Sequence, residues 1–306
     1  VRGEDYLVDV PSDFRCESAD VLPDAHVRLR LYGDVRRPLV VVSGGISSGR
    51  LLHEWWSEHV DNGAAIDLTR FCALGFDFAP TEDVRVRLSP RDQARLVATA
   101  LDSLGVERAF AWVGASYGAM VGFAFAAETP ERLERLCAIS AAHKPAVLAR
   151  GWRGVQRRIV EFAISHGVAE EGLSLARQLA MITYRSAEEF EERFPGGVDA
   201  GGRSDLDRYL VARGDSYVGA MAPQRWLSLS EAIDRLQVDP AQVRATVTLA
   251  GCPTDQIAPI ELIQDLSRHL PRLSALHELP SLYGHDAFLK EPARVAAIIR
   301  SCLEGA

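Results

Sequence analysis

Ala109-Phe110-Ala111-Trp112-Val113-Gly114-Ala115-Ser116-Tyr117-Gly118-Ala119-Met120 reads as a buried strand, a tight turn and the start of a helix. Its first residues are apolar without alternation, which suits a strand covered on both faces. The small apolar residues from Tyr117 to Glu128 suit a helix lying close to a sheet. Between them Gly114 and Gly118 bracket Ser116 in a G-x-S-x-G pattern. In such a strand–turn–helix the glycines leave room for the crossing, and the serine oxygen projects above the sheet edge. The Tyr117 amide then sits at a helix N-terminus, where developing negative charge is favoured. The pattern alone is weak, because a spectator serine in a tight turn fits it too.

Outward from this stretch, apolar runs alternate with longer helical patterns. The runs predict strands at Val27–Tyr32, Leu39–Ser43, Phe71–Phe76, Ala109–Val113, Leu133–Ile139, Ala245–Ala250 and Leu276–Leu279. Apolar periodicity predicts helices at Pro90–Leu104, Tyr117–Glu128, Glu261–His269 and Asp286–Leu303. Such alternation predicts an α/β fold with a mainly parallel, doubly wound sheet. Residues 143–238 break the rhythm with helical patterns at Val155–Ala163, Glu170–Ile182, Ala187–Arg193, Ser204–Gly214 and Trp226–Leu236. They are expected to form a helical cap inserted into a core made of residues 1–142 and 239–306. A cap can shield a reactive intermediate from water, although a plain structural insertion has the same pattern.

A serine hydroxyl needs a base to become a nucleophile. In this fold the chain order is serine, acid, histidine. Asp255 follows the strand Ala245–Ala250 within Gly251-Cys252-Pro253-Thr254-Asp255-Gln256, and His285 lies in the loop before the last helix. Both are placed on the sheet edge that carries Ser116. Other histidines fit less well: His53, His59, His166 and His269 fall in helical patterns, and His26 and His277 lie in or beside strands. His143, after a strand, is the competitor. Asp286 adjoins His285 too closely to orient its ring. A second oxyanion donor is expected after the strand Leu39–Ser43, in Ser43-Gly44-Gly45-Ile46, where Gly45 allows close backbone approach.

Composition bounds the function further. The 306 residues are 47% hydrophobic and 25% charged, with a net charge of −8; that is ordinary for a globular protein and unsuited to a broad nucleic-acid face. Five cysteines with irregular spacing are expected to be reduced core thiols in a cytoplasmic protein. No apolar run is long enough to span a membrane. The start at Val1 lacks Met and any signal-peptide pattern, as expected of a trimmed N-terminus. There is no HExxH, no Cys/His cluster and no phosphate-binding glycine motif, so no bound metal or permanent cofactor is expected.

Beyond these features the chain resembles the homoserine O-acyltransferases of α/β-hydrolase fold. The resemblance runs from about Val27 to the end. It rests on Trp55-Trp56, Gly63-Ala64-Ala65-Ile66-Asp67, Leu104-Gly105, Gly154-Val155-Gln156-Arg157, Met181-Ile182-Thr183-Tyr184-Arg185-Ser186 and Tyr283-Gly284-His285-Asp286-Ala287-Phe288. It departs at the elbow, where the family has Gly-Gly-Ser-Met-Gly-Gly, and at the oxyanion segment, where it has Thr-Gly-Leu. The resemblance implies acyl transfer from acyl-CoA to the hydroxyl of L-homoserine by a ping-pong route, for methionine synthesis, with acetyl favoured slightly over succinyl. It implies that Arg157 holds the homoserine carboxylate, that Asp286 holds its ammonium, and that Tyr184 lies at the substrate. It further implies a homodimer through the cap. Arg50, close to the oxyanion loop, is expected to meet a succinyl carboxylate if that donor is used. A serine O-acyltransferase, a serine esterase with water as acceptor, and a non-catalytic binding protein are the competing readings.

Overall fold

The computed structural model describes residues 3–305. Eight strands form one sheet: β1 (Gly3–Asp9), β2 (His26–Tyr32), β3 (Leu39–Ser43), β6 (Cys72–Phe76), β7 (Ala109–Ala115), β8 (Leu133–Ile139), β9 (Thr246–Gly251) and β10 (Leu273–Glu278). The two-residue strands β4 (Val60–Asp61) and β5 (Ile66–Asp67) pair separately. Across the large sheet the order is β1-β2-β6-β3-β7-β8-β9-β10. The pairs β1/β2 and β2/β6 are antiparallel, and every later pair is parallel. This is the expected mainly parallel sheet. The unexpected member is β1, whose GEDYLVD sequence lies half exposed at the sheet edge, so it carries no continuous apolar run.

Helices cover both faces. Val41, Trp112, Leu136 and Leu249 enter one core with α2 (Pro90–Ser103) and α3 (Tyr117–Glu128). Alternate residues Val40, Val42, Ala111, Val113 and Cys137 enter the other, with α1 (Leu52–Trp55) and the C-terminal helix. Side chains alternate across a strand, so strands buried on both faces read as unbroken apolar runs. All five cysteines are buried and unpaired.

Between β8 and β9 lie α4 (Val147–Ser165), α5 (Ala169–Tyr184), α6 (Ala187–Arg193), α7 (Asp205–Val218) and α8 (Pro223–Asp234). After β9 comes α9 (Ile260–Ser267). The single helix expected over Asp286–Leu303 is two, α10 (Ala287–Lys290) and α11 (Pro292–Glu304). Pro292 explains the break: it disfavours helical backbone at Glu291 and has no amide to donate. Among the described residues no helix is long and apolar enough to cross a membrane, and no group of three or more His, Cys, Asp or Glu could hold a metal.

Candidate active site

The chain leaves β7 at Ser116 with φ 52° and ψ −122°. A non-glycine residue there stores about 1–3 kcal/mol of strain, which the surroundings must hold. They do so through tight packing. A Cβ at Gly118 would lie 2.5 Å from the Ser43 carbonyl carbon, and one at Gly114 would lie 2.7 Å from the Ala119 backbone. The Ser116 amide donates to the Ile139 carbonyl at 2.9 Å and the Gly118 amide to the Gly44 carbonyl at 2.7 Å. Trp112, fully buried beneath, donates its indole N–H to Ser43 Oγ and the Gly118 carbonyl.

His285 reaches this hydroxyl from a short turn after β10. Its Nε2 lies 2.8 Å from Ser116 Oγ, and its Nδ1 lies 2.8 Å from Asp255 Oδ2. Asp255 sits in the turn after β9, where its Oδ1 accepts the amides of Ile257 and Ala258 at 2.8 and 2.9 Å. An ionised carboxylate only accepts, so Nδ1 carries the hydrogen and Nε2 is left to accept the serine proton. Burial disfavours the imidazolium, but the charge and hydrogen bond of Asp255, with a smaller contribution from Asp286, outweigh it and raise the His285 pKa. His143 is also buried, but it does not line the cavity at Ser116. Burial, reinforced by Lys144, lowers its pKa.

The amides of Tyr117 and Gly45 donate to no protein acceptor among the described residues. The Gly45 loop is pinned: Ser48 Oγ accepts the Gly44 amide at 3.1 Å and donates to the Gly45 carbonyl at 2.8 Å. A Cβ at Gly45 would meet nothing within 4 Å.

Above Ser116 the cap closes a cavity of about 210 Å³. Tyr184 and Asp286 line it. The Tyr184 ring is tilted over His285 at 5.5 Å between centroids. Asp286 Oδ2 accepts from Arg185 Nε at 2.9 Å. Two residues expected here lie elsewhere. Arg157 is outside the lining; it forms an ion pair with Asp234 at 2.8 Å and donates to the Ser230 carbonyl at 3.0 Å. Arg50 lies beyond the Gly45 loop, paired with Asp77 at 2.7 Å and Asp5 at 3.1 Å, and faces a different depression. The cations that do line the cavity are Lys144, Arg153 and Arg177. Arg177 has no carboxylate partner within 4.0 Å among the described residues and lies over the rings of Tyr184 and Tyr217. The sequence signal for it was present, seven residues before Tyr184 on the same helix face.

A family model described as alpha/beta hydrolase fold matches residues 37–292. The chain is 37% identical to a homoserine O-succinyltransferase of Xanthomonas campestris, over 96% of this chain and 85% of that one. It is 32% identical to a homoserine O-acetyltransferase of Deinococcus radiodurans, over 92% and 88%. In structure it is similar to a crystallised esterase, with a TM-score of 0.88, 16% identity and coverage of 99% and 100%. That likeness speaks to the fold alone.

Proposed function

The chain belongs to the homoserine O-acyltransferases of the α/β-hydrolase fold, and from that premise we propose that it transfers an acyl group from acyl-CoA to the hydroxyl of L-homoserine. Ser116 is the nucleophile, His285 the base, and Asp255 the group that fixes the imidazole. Ser116 Oγ bonds to the thioester carbon as its proton passes to Nε2, and the amides of Tyr117 and Gly45 receive the oxyanion. The C–S bond breaks and the thiolate takes the proton from His285. The homoserine hydroxyl then attacks the acyl-serine and gives its proton to His285; the bond from the acyl carbon to Ser116 Oγ breaks, the serine oxygen takes the proton back from His285, and the route is ping-pong. The cap of residues 143–238 keeps water from that ester.

One observation carries this reading over hydrolysis. The cavity above Ser116 holds a guanidinium without a carboxylate partner, Arg177, and a carboxylate, Asp286. An amino-acid acceptor needs such a pair for its carboxylate and ammonium; water needs neither. Arg177 therefore takes the role expected of Arg157, and Tyr184 walls the acceptor site beside it. Thiol release from acyl-CoA, followed with and without homoserine, tests the reading. Release that requires homoserine beyond the first turnover supports transfer, and equal rates would establish an esterase. Serine differs from homoserine by one methylene, worth only about 1–3 kcal/mol in a pocket, so both acceptors belong in the assay.

A homodimer through the cap forms part of the proposal. Leu148, Val155 and Phe162 on α4 are 60%, 41% and 66% exposed, and Val168, Leu175 and Ile182 along α5 are 42%, 53% and 46% exposed. Both sets are spaced by seven residues, which draws an apolar stripe down each helix. Two such stripes side by side exceed scattered surface apolarity and suit a second copy. A cytoplasmic location also forms part of the proposal, and the buried, unpaired thiols support it.

A further inference from the structure

Resting on the transferase reading, we propose that the transferred acyl group is dicarboxylic, of succinyl length, and that its far carboxylate is received by Arg153, Gln156 and Ser140. Ile139 pairs with Ala115 across β7 and β8, so Ser140 stands beside Ser116 on the neighbouring strand. Both residues leave the sheet with left-handed backbone, φ 53° and 52°. The Ser140 amide is held by the Ala250 carbonyl at 2.8 Å. The residue borders the cavity and is 1% exposed, and its hydroxyl is buried with no protein partner among the described residues. A strained serine with an unmatched buried hydroxyl is costly to keep unless a ligand matches it.

Two neighbours on α4 supply the rest of the subsite. Gln156 is 4% exposed, lines the same cavity, and its side-chain amide makes no hydrogen bond among the described residues. Arg153 is 8% exposed. Its Nε and Nη2 both donate to Asp234 Oδ1, at 2.9 and 2.6 Å, which leaves Nη1 without a hydrogen bond among the described residues, on a side chain that lines the cavity. Asp234 also pairs with Arg157 at 2.8 Å. Two guanidiniums therefore share one carboxylate, and a net positive charge remains beside a buried cavity. An anion that arrives there relieves it.

The acceptor does not take this place. Arg177 reaches the cavity over Tyr217, whose hydroxyl lies 3.1 Å from Ser47 Oγ in the loop after β3. Ser140 and Arg153 approach from β8 and the helix that follows it. β3 and β8 flank β7 on opposite sides, so Ser116 lies between two polar ends. In the transfer, the Ser116 Oγ–C bond forms as the C–S bond to CoA breaks. The serine proton leaves on the CoA sulfur by way of His285, and the distal carboxylate is unchanged.

The test compares kcat/KM for succinyl-CoA, acetyl-CoA and butyryl-CoA with homoserine as acceptor. Butyryl has the chain length of succinyl without its charge. Succinyl-CoA is expected to exceed both others by at least about tenfold, since charged hydrogen bonds inside a protein are the strong ones. The succinyl-to-butyryl ratio is expected to fall about a hundredfold in Arg153→Met and about tenfold in Ser140→Ala. Ser140→Ala removes one oxygen and nothing else, so it keeps the test open if Arg153→Met does not fold. A wild-type enzyme that prefers acetyl-CoA, or a ratio unmoved in Ser140→Ala, overturns the subsite alone. No transfer from any of the three donors overturns the transferase reading and the subsite with it.

Discussion

Replacing Asp255 with Asn isolates the part of the site that sets the imidazole tautomer. The Ile257 and Ala258 amides donate to Oδ1 at 2.8 and 2.9 Å, so an asparagine is held with its carbonyl oxygen toward them. Its NH₂ then faces Nδ1 of His285. A donor in that position forces Nδ1 to accept, moves the ring hydrogen to Nε2, and leaves no acceptor for the Ser116 proton. Both amide bonds survive, so the fold is retained and the melting temperature should move by only a few degrees. Wrong-tautomer substitutions of this kind cost about four orders of magnitude in kcat, or roughly 5.5 kcal/mol at about 1.36 kcal/mol per decade. Turnover with saturating homoserine and acyl-CoA, measured beside thermal melts, reads both quantities. A loss smaller than tenfold in a folded variant would refute the assigned role of Asp255.

The pH profile follows from the raised pKa of His285. The base form is required, so kcat/KM should fall on the acid side with a midpoint above about 6.5, the ordinary histidine value; a midpoint below that value contradicts the electrostatics. By linkage, the stability this histidine adds is fully present below about 6.5 and is lost as pH rises through the folded pKa; urea titrations across that window read it. Arg177→Met should raise the homoserine KM roughly 10- to 150-fold, the worth of a charged hydrogen-bonded contact, whereas Arg157→Met should change it little; steady-state kinetics on the two variants decide between these arginines. Phe162→Asp puts a charge on the apolar stripe of the cap, and light scattering should then report the 33.5 kDa chain mass where the parent protein gives twice that. An unchanged mass places the dimer contact elsewhere.

The elbow was legible because its signal is local. Ser116, Gly114 and Gly118 and the strand and helix around them fall within the twenty residues 109–128, and chain order leads on to Asp255 and His285. Residues whose role depends on distant charges were harder to read. Arg50 is captured by Asp5 and Asp77, 45 and 27 positions away, and nothing near it in sequence announces this. On α4, Arg153 and Arg157 are one turn apart and face the same Asp234; periodicity cannot say which of them also borders the cavity. Ser140 looks like the end of an apolar strand, and its positive φ is set by the sheet edge rather than by its own residue type. The edge strand β1 escaped notice because half-exposed strands carry charge where buried ones carry Val and Leu.

The central claim is a covalent acyl-enzyme on Ser116. Intact-mass spectrometry after mixing the enzyme with its acyl-CoA in the absence of homoserine measures it directly. A mass gain of one acyl group, mapped to the peptide containing Ser116, discharged by added homoserine and absent from Ser116→Ala, is the expected result. Steady transfer to homoserine with no such adduct, or an adduct on another side chain, would contradict the account.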